Sequence, residues 1–234
     1  MKRSLLPFAC LLFLSGPVLA AAPDPAIAFS KLRSARSAKD FAQAEKVARE
    51  LIAAYPTSSE AYIERAMTYL SQQKRELAAV DFKKAVEVDP TNPRAYLYRG
   101  DLAYRLIEKN YAGCEADYAT VLKLDPDFPG YRAYTAELYL YMKDPARVIT
   151  EAAIGLAAEP THAIHRVNLA HGLAFSGQMA AAKALYTQLA SEEIAHGRKG
   201  AAFVLGDFAT LKRHGIEYPQ AAELTRLLEA LKSP

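Results

Sequence analysis

The chain has 234 residues, with 29 Lys and Arg against 26 Asp and Glu, 51% hydrophobic residues, two Cys and no Trp. Two cysteines are too few for a disulfide-rich scaffold, and the apolar fraction is too high for a disordered chain. A net charge of +3 over this length is not the electrostatic footprint of a nucleic-acid-binding protein. We therefore expect a folded protein of one or two domains that binds no nucleic acid.

The first 20 residues have the order of a secretory signal peptide. Two cations precede an apolar stretch from Leu5 to Leu14, and a small residue, Ala20, ends the segment. The stretch is about ten residues long, whereas roughly 20 are needed to span a bilayer core. We expect cleavage near Ala20 to Ala22, export across the inner membrane, and a periplasmic location if the source is Gram-negative. An uncleaved membrane anchor is the alternative; after cleavage we expect no stable membrane insertion.

Loss of this segment would leave a nearly neutral chain with Cys114 as its one cysteine. A single thiol in an oxidising compartment is a liability unless it is buried. We therefore expect Cys114 to be a packing residue rather than a reactive one.

Four prolines recur at nearly regular intervals along the chain. Pro56, Pro90, Pro126 and Pro160 are separated by 34, 36 and 34 residues. Such a period is typical of stacked supersecondary units. In the unit that ends at Pro90, apolar residues at spacings of three, four and seven predict two antiparallel helices packed at small side chains. No strand pattern is present, so we predict an all-α fold.

The best-defined unit is residues 59–92. Its first helix carries the small residue Ala66. Its second helix carries Ala78, Phe82 and Ala85 at spacings of four and three, and Pro90 closes the unit. This pattern resembles the tetratricopeptide repeat family, which implies a right-handed superhelical solenoid of antiparallel helix pairs. Residues 93–128 continue the pattern with Cys114 in place of the usual Ala. Two extra residues near Glu108 to Asn110 are expected to lengthen the turn of that repeat.

The period divides the rest of the chain into similar units. The predicted repeats are 25–58, 59–92, 93–128, 129–162 and 163–196, followed by capping helices at 197–234. The first repeat is diverged, with Lys31 in an apolar position, as expected where the end of an array is exposed. The fourth carries Ala152 and Gly155 where an aromatic residue and an Ala are usual. Because no proline closes the helix that begins near residue 178, we expect it to continue to residue 196.

The sequence contains no recognisable catalytic constellation. Phosphate-binding loops and nucleophile elbows are absent, and no pocket for paired catalytic carboxylates can be located. His162, His165 and His171 suggest a metal site, but no Cys or second His pair completes a tetrahedral set. We expect no enzymatic activity, no cofactor and no metal, with a metal-binding module as the alternative use of these histidines.

In the resembling family the first helix of each pair lines a concave binding surface. Carrying those positions over gives the candidate groove residues Met67, Leu97, Asp101, Tyr104, Arg105, Glu137, Tyr141, His171 and Phe175. Mixed aromatic and charged residues suit protein recognition, and a central Arg can pair with a ligand carboxylate, although several tyrosines can equally pack between repeats. Leu97 and Asp101 stand where members that clamp a peptide's C-terminal carboxylate have Lys and Asn, so we expect no such clamp.

These patterns predict an exported, non-enzymatic adaptor that binds a protein or peptide on the concave face of its repeats. The expected ligand segment is apolar or aromatic with some positive charge, because Asp101 and Glu137 would repel an anionic tail. The alternative is a structural or self-associating subunit of a cell-envelope assembly. Neither the partner nor the oligomeric state can be inferred from these patterns.

Overall fold

The structure, a computed structural model, describes residues 22–128, 130–195 and 197–232, and it confirms the all-α helical-repeat prediction. The first helices of the pairs are α1 (Pro25–Ser37), α3 (Ser59–Ser71), α5 (Pro93–Tyr98) with a π-helix (Arg99–Glu108), α7 (Tyr131–Tyr141), α9 (Ala163–Phe175) and α11 (Gly200–Arg213). The second helices are α2 (Phe41–Ala54), α4 (Arg75–Val88), α6 (Tyr111–Leu124), α8 (Pro145–Ala158), α10 (Met179–Leu189) and α12 (Ala221–Lys232). Helices pack mainly on their neighbours in sequence, and first helices also contact the first helix of the next pair, as α1 does α3 and α7 does α9.

The predicted signal peptide, residues 1–20, lies outside the described residues. Among the helices that are described, none combines the length and the apolar character required to cross a bilayer.

The backbone repeats with the same period as the prolines. In the turns of the first five helix pairs, one residue has a positive φ, between 54° and 81°: Lys39, Gln73, Lys109, Lys143 and Gly177. These residues are 34, 36, 34 and 34 positions apart, so the turn geometry recurs whether or not the position holds glycine. Side-chain caps start three of the second helices, α2, α6 and α8; in α2, for example, Asp40 accepts a hydrogen bond from the Gln43 backbone N–H at 3.0 Å.

An arginine on the first helix is paired with a carboxylate on or just after the second helix in four successive repeats. The pairs are Arg65–Asp81, Arg99–Asp117, Arg132–Glu151 and Arg166–Glu192, with closest nitrogen–oxygen distances between 2.5 and 2.7 Å. Asp81 and Asp117 are buried, and a carboxylate removed from water needs such a charged, two-pronged partner. The pairs therefore hold each helix hairpin together.

The third repeat differs from the expectation that its two extra residues lengthen the turn. That turn contains only Lys109 and Asn110, one residue fewer than the turn after α3. The additional residues are instead absorbed within the first helix, because Arg99–Glu108 forms a π-helix, in which hydrogen bonds join residues five apart. Such segments are rare and often lie at functional sites, and this one carries Asp101 and Arg105.

The predicted continuous helix from residue 178 to residue 196 is wrong. α10 ends at Leu189, and a short antiparallel hairpin of β1 (Glu193–Ala195) and β2 (Arg198–Lys199) follows, although no strand was expected. The chain that returns from this hairpin hydrogen-bonds to the end of α10, where the Ala201 N–H donates to the Ala190 carbonyl at 3.1 Å. Gly200 allows this approach, because a Cβ there would collide with the Leu189 carbonyl.

Large buried side chains occupy one recurrent position in the second helices. Phe82, Tyr118 and Tyr186 are each no more than 1% exposed, while the fourth repeat has Ala152 there. His165 of the next helix supplies volume beside that smaller residue, as its ring would lie 2.5 Å from a Cβ added at the adjacent Gly155. The interior of the fourth repeat is thus filled by a side chain from the next helix rather than by a large residue at position 152.

Cys114 is completely buried, as its predicted packing role requires. Burial raises the pKa of its thiol to about 12, which keeps it protonated and unreactive at neutral pH.

Gly100 provides a test of the helix register. A Cβ at this position would lie 3.2 Å from both the Asp117 Cβ and the Tyr118 ring. We expect Gly100→Val to lower the free energy of unfolding by about 2 kcal/mol, because its methyl groups would enter an already filled contact. Urea unfolding followed by circular dichroism measures the loss. Gly206→Ala is the control, since the added methyl would meet only the flexible end of Arg198; a Gly100→Val protein as stable as this control would show the register to be wrong.

Candidate functional site

Four predicted groove residues form one connected group. Asp101 and Arg105 come from the π-helix, and Glu137 and Tyr141 come from α7. The Arg105 Nε donates a hydrogen bond to Asp101 Oδ1 at 2.9 Å, and its Nη1 donates to Glu137 Oε1 at 2.9 Å. Its guanidinium carbon lies 4.5 Å from the centre of the Tyr141 ring. The group therefore joins the third repeat to the fourth.

Arg105 is only 3% exposed, which differs from the expectation that its charge faces a ligand. Burial alone disfavours the charged form, but Asp101 and Glu137 outweigh this effect and raise the pKa of Arg105 well above its usual range. With its donors directed at two carboxylates of its own chain, Arg105 is a structural centre and is not available to bind a partner's carboxylate.

A cavity of about 190 Å³ opens beside this group, between α7, α9 and α11. Glu137, Tyr141, Asn168, His171 and Asp207 are among the residues that line it. The Glu137 and Asp207 side chains are 44% and 34% exposed, so the cavity is open to solvent. A cavity of this volume has room for one side chain of a ligand.

Three oxygen atoms of the residues that line the cavity accept no hydrogen bond from the described residues. Asn168 is 5% exposed, and its side-chain amide donates to the Ala133 carbonyl at 3.0 Å. No residue within the described ranges donates to the Asn168 Oδ1, the Glu137 Oε2 or the Asp207 Oδ1. Unfilled acceptors in a partly enclosed site favour a ligand that brings donors.

His171 forms a fixed wall of the cavity. It is 1% exposed, and its Nδ1 lies 2.8 Å from the Tyr186 hydroxyl. Its Nε2 lies 3.4 Å from Asp207 Oδ2, and the Tyr218 ring stacks on the imidazole with 5.6 Å between ring centres and 9° between planes. These contacts leave little rotational freedom, so the ring holds the Asp207 side of the cavity in place.

The inner side of the cavity has more carboxylates than cations. Burial raises the pKa of Glu137, Arg105 opposes this shift, and the carboxylates Asp101 and Asp207 add to it. The ring of His214 lies 5.3 Å from that of Tyr141, and burial together with neighbouring cations lowers the pKa of His214. This histidine therefore adds no positive charge at neutral pH, and on the inner side of the cavity Asp101, Glu137 and Asp207 outnumber Arg105.

The other predicted groove residues lie outside this site. Leu97 is 2% exposed and belongs to the apolar core, while Met67 and Tyr104 are half-buried and pack against the core of the second repeat. Phe175 meets the Tyr218 ring edge-on at 5.3 Å. The candidate site is therefore confined to the cavity between α7, α9 and α11.

Sequence reasoning missed the contribution of α11, which it treated as a cap. Phe203, Asp207 and Thr210 are spaced by four and three residues, so they share one helix face, and all three line the cavity. An acidic residue on an otherwise apolar helix face is the signal that marks this position. Tyr218, which follows α11 in the chain, was missed because no repeat position predicts it.

The three histidines of the metal hypothesis do not converge. The His162 and His165 rings are 4.4 Å apart, with His165 packed against Gly155, whereas His171 lies at the cavity. In the part of the chain that the structure describes, no three His, Cys, Asp or Glu side chains are placed to hold a metal ion.

Comparison with known proteins places the repeat in a family. A tetratricopeptide repeat model matches residues 59–92. The chain is also 34% identical over 79 residues to the Protein SGT1 homolog of Oryza sativa subsp. japonica, a match that covers 34% of this chain and 22% of that protein. It therefore matches about a fifth of the length of this relative.

Solved structures share the architecture over most of the chain. PilW, a widely conserved type IV pilus biogenesis factor, has a TM-score of 0.67 and 18% identity, over 88% of this chain and 90% of PilW. Pseudomonas aeruginosa PilF has a TM-score of 0.63 and 16% identity, over 88% of both chains. At these identities the likeness shows the fold alone. Residues 59–92 thus match a tetratricopeptide repeat, and the helix pairs on both sides of this repeat continue the same helical-repeat fold.

Proposed function

We propose that this protein is an exported, non-enzymatic adaptor that binds a protein or peptide segment on the concave face of its repeats. Tetratricopeptide repeats generally mediate protein–protein interaction. The observation that carries the proposal is the solvent-open cavity formed jointly by α7, α9 and α11. Such a concave site, built from three consecutive first helices, suits an extended segment with one inserted side chain.

Export is supported by the signal-like order of residues 1–20. One fold neighbour, PilW, is described as a type IV pilus biogenesis factor, and that description agrees with an envelope role. Amino-terminal sequencing of the protein from its own host tests this part. A first residue just after Ala20 or Ala22 is expected, and an intact amino terminus would favour the membrane-anchor alternative.

A self-associating subunit is the second candidate, favoured by an apolar patch on α4. Leu77 and Val80 are 49% and 64% exposed and lie three residues apart, so they form neighbouring apolar positions on one helix face. An exposed apolar pair of this kind offers a starting point for contact with another copy.

Photo-crosslinking distinguishes the two candidates. A benzoylphenylalanine at Phe203 samples the cavity, and one at Val80 samples the exposed patch of α4. We expect irradiation in the native host to yield an adduct with a different protein from position 203 and none from position 80. Adducts of twice the chain mass from position 80, with none from position 203, would contradict the adaptor proposal and support self-association.

A further inference from the structure

We infer that the cavity between α7, α9 and α11 is a specificity pocket for a cationic side chain of the partner, with arginine as the best match. This inference rests on the proposed function and names the chemistry that the site recognises. Its basis is the juxtaposition of Glu137, Asn168 and Asp207 at one cavity large enough for a single side chain.

The first argument is the balance of donors and acceptors. The Asn168 side chain lines the cavity, and its Oδ1 is open to solvent there and receives no hydrogen bond from the described residues. Glu137 and Asp207 each keep one carboxylate oxygen without a donor in the same ranges. A guanidinium group presents five N–H donors in a planar fork and no acceptor, so it complements this lining where a carboxylate or carbonyl would not.

The second argument is charge. Asp101, Glu137 and Asp207 are opposed in this region by Arg105, whose donors are already directed at the first two. Carboxylates therefore outnumber cations on the inner side of the cavity, while the cations Arg198 and Arg213 lie at its rim. A cationic side chain would remove this imbalance, whereas an acidic one would add to it.

Cations at the rim do not fill the cavity themselves. The guanidinium of Arg198 lies 4.7 Å from the centre of the Phe203 ring, and Arg213 donates to the Thr210 hydroxyl at 3.1 Å. Within the described residues, neither forms an ion pair with Asp207. The space beside Asp207 is thus left for a cation from outside.

The third argument is the apolar part of the lining. Tyr141, Phe203 and Leu211 contribute ring and methyl surface to the same cavity. Arginine carries an aliphatic stem that packs on such surface while its head meets polar groups, which suits a cavity with both kinds of wall.

The test uses an isolated arginine side chain as the probe. We expect N-acetyl-argininamide, titrated into the isotopically labelled full chain, to bind with a Kd in the millimolar range and to shift amide resonances of α7, α9 and α11. N-acetyl-citrullinamide has nearly the same shape but no charge. It should bind about tenfold more weakly, because hydrogen bonds to charged groups are about twice as strong as neutral ones.

Chain variants locate the binding. Asp207→Asn preserves shape and removes one charge, so it should weaken argininamide binding about tenfold. Glu50→Gln, on the exposed surface of α2, is the matched control and should bind like the unaltered protein. Melting temperatures of both variants must match that of the unaltered chain, so that weaker binding is not loss of fold.

The outcomes separate this inference from the adaptor proposal. Equal binding of the two probes, resonance shifts outside α7, α9 and α11, no shifts at tens of millimolar, or full binding by Asp207→Asn would each overturn the arginine pocket. A crosslinked partner at position 203 without arginine preference keeps the adaptor and removes the pocket. Arginine binding without any crosslinked partner keeps the pocket and removes the adaptor.

Discussion

Arg105→Met is expected to lower the free energy of unfolding by about 3 kcal/mol. Arg105 is 3% exposed and donates to both Asp101 and Glu137, so its removal leaves two neighbouring carboxylates without their counter-charge. Asp101 and Glu137 retain side-chain exposures of 23% and 44%, which places the loss at the lower end of that known for broken buried pairs. Urea unfolding at neutral pH, followed by circular dichroism, measures the effect.

Arg49→Met is the matched control for this prediction. Arg49 is 59% exposed and pairs with Glu45 within α2 at 3.4 Å, so its loss should cost no more than about 0.5 kcal/mol. Similar small losses in both variants would show that Asp101 and Glu137 are well solvated and that Arg105 is not a structural centre. A large loss in Arg105→Met alone also means that this residue is unsuitable for testing ligand binding, since its substitution would disturb the fold.

Ala85→Glu is expected to cost more than about 3 kcal/mol. Ala85 is completely buried on α4, where Ala66 and Phe82 belong to the same apolar cluster. A glutamate there brings both excess volume and a charge for which the apolar cluster offers no partner. Because repeats contact chiefly their neighbours, we expect the damage to be local.

Hydrogen exchange shows whether the damage in Ala85→Glu is local. Amide protection should fall first in α3 and α4 and persist in α9 and α10. Ala42→Glu, at an exposed position of α2, is the control and should change the free energy of unfolding by no more than about 0.5 kcal/mol. Stability of Ala85→Glu equal to that of the control would contradict the assigned contact between the paired helices.

The Arg105 group and the cavity have complementary roles. The π-helix places Asp101 and Arg105 beside each other, and Arg105 then reaches Glu137 on the next first helix. This positions Glu137 with one oxygen held and the other without a donor in the described residues. A structural ion pair therefore orients the carboxylate that we infer to meet the ligand.

Local regularities of the sequence predicted most of the fold. The 34-residue proline spacing and the Ala66, Ala78 and Ala85 positions predict paired helices, because each repeat buries its small residues against a partner nearby in the chain. Burial of Cys114 was predicted for the same reason, since it occupies the repeat's usual Ala position. These contacts join residues that are close together in the sequence, so the periodic pattern of residues predicts them.

The tertiary structure decided what periodicity does not record. The two extra residues of the third repeat formed a π-helix rather than a longer turn, because hydrogen bonding along a helix can absorb an insertion. The helix after residue 178 ends at Leu189. Beyond it, the backbone carbonyls accept hydrogen bonds from the returning chain at Gly200 and Ala201 instead of continuing the helix. Both outcomes depend on neighbouring backbone geometry.

The candidate site depended still more on packing between distant segments. The family resemblance of the sequence implied that first helices line a concave face, and on that face it placed Glu137, Tyr141 and His171, which the structure finds at the cavity. Only the tertiary structure brought Asp207 from α11 to the same cavity and buried Arg105 between its own carboxylates. The physical reason is that a repeat pattern encodes which face a side chain occupies, whereas charge pairing and enclosure depend on which other segment packs against that face.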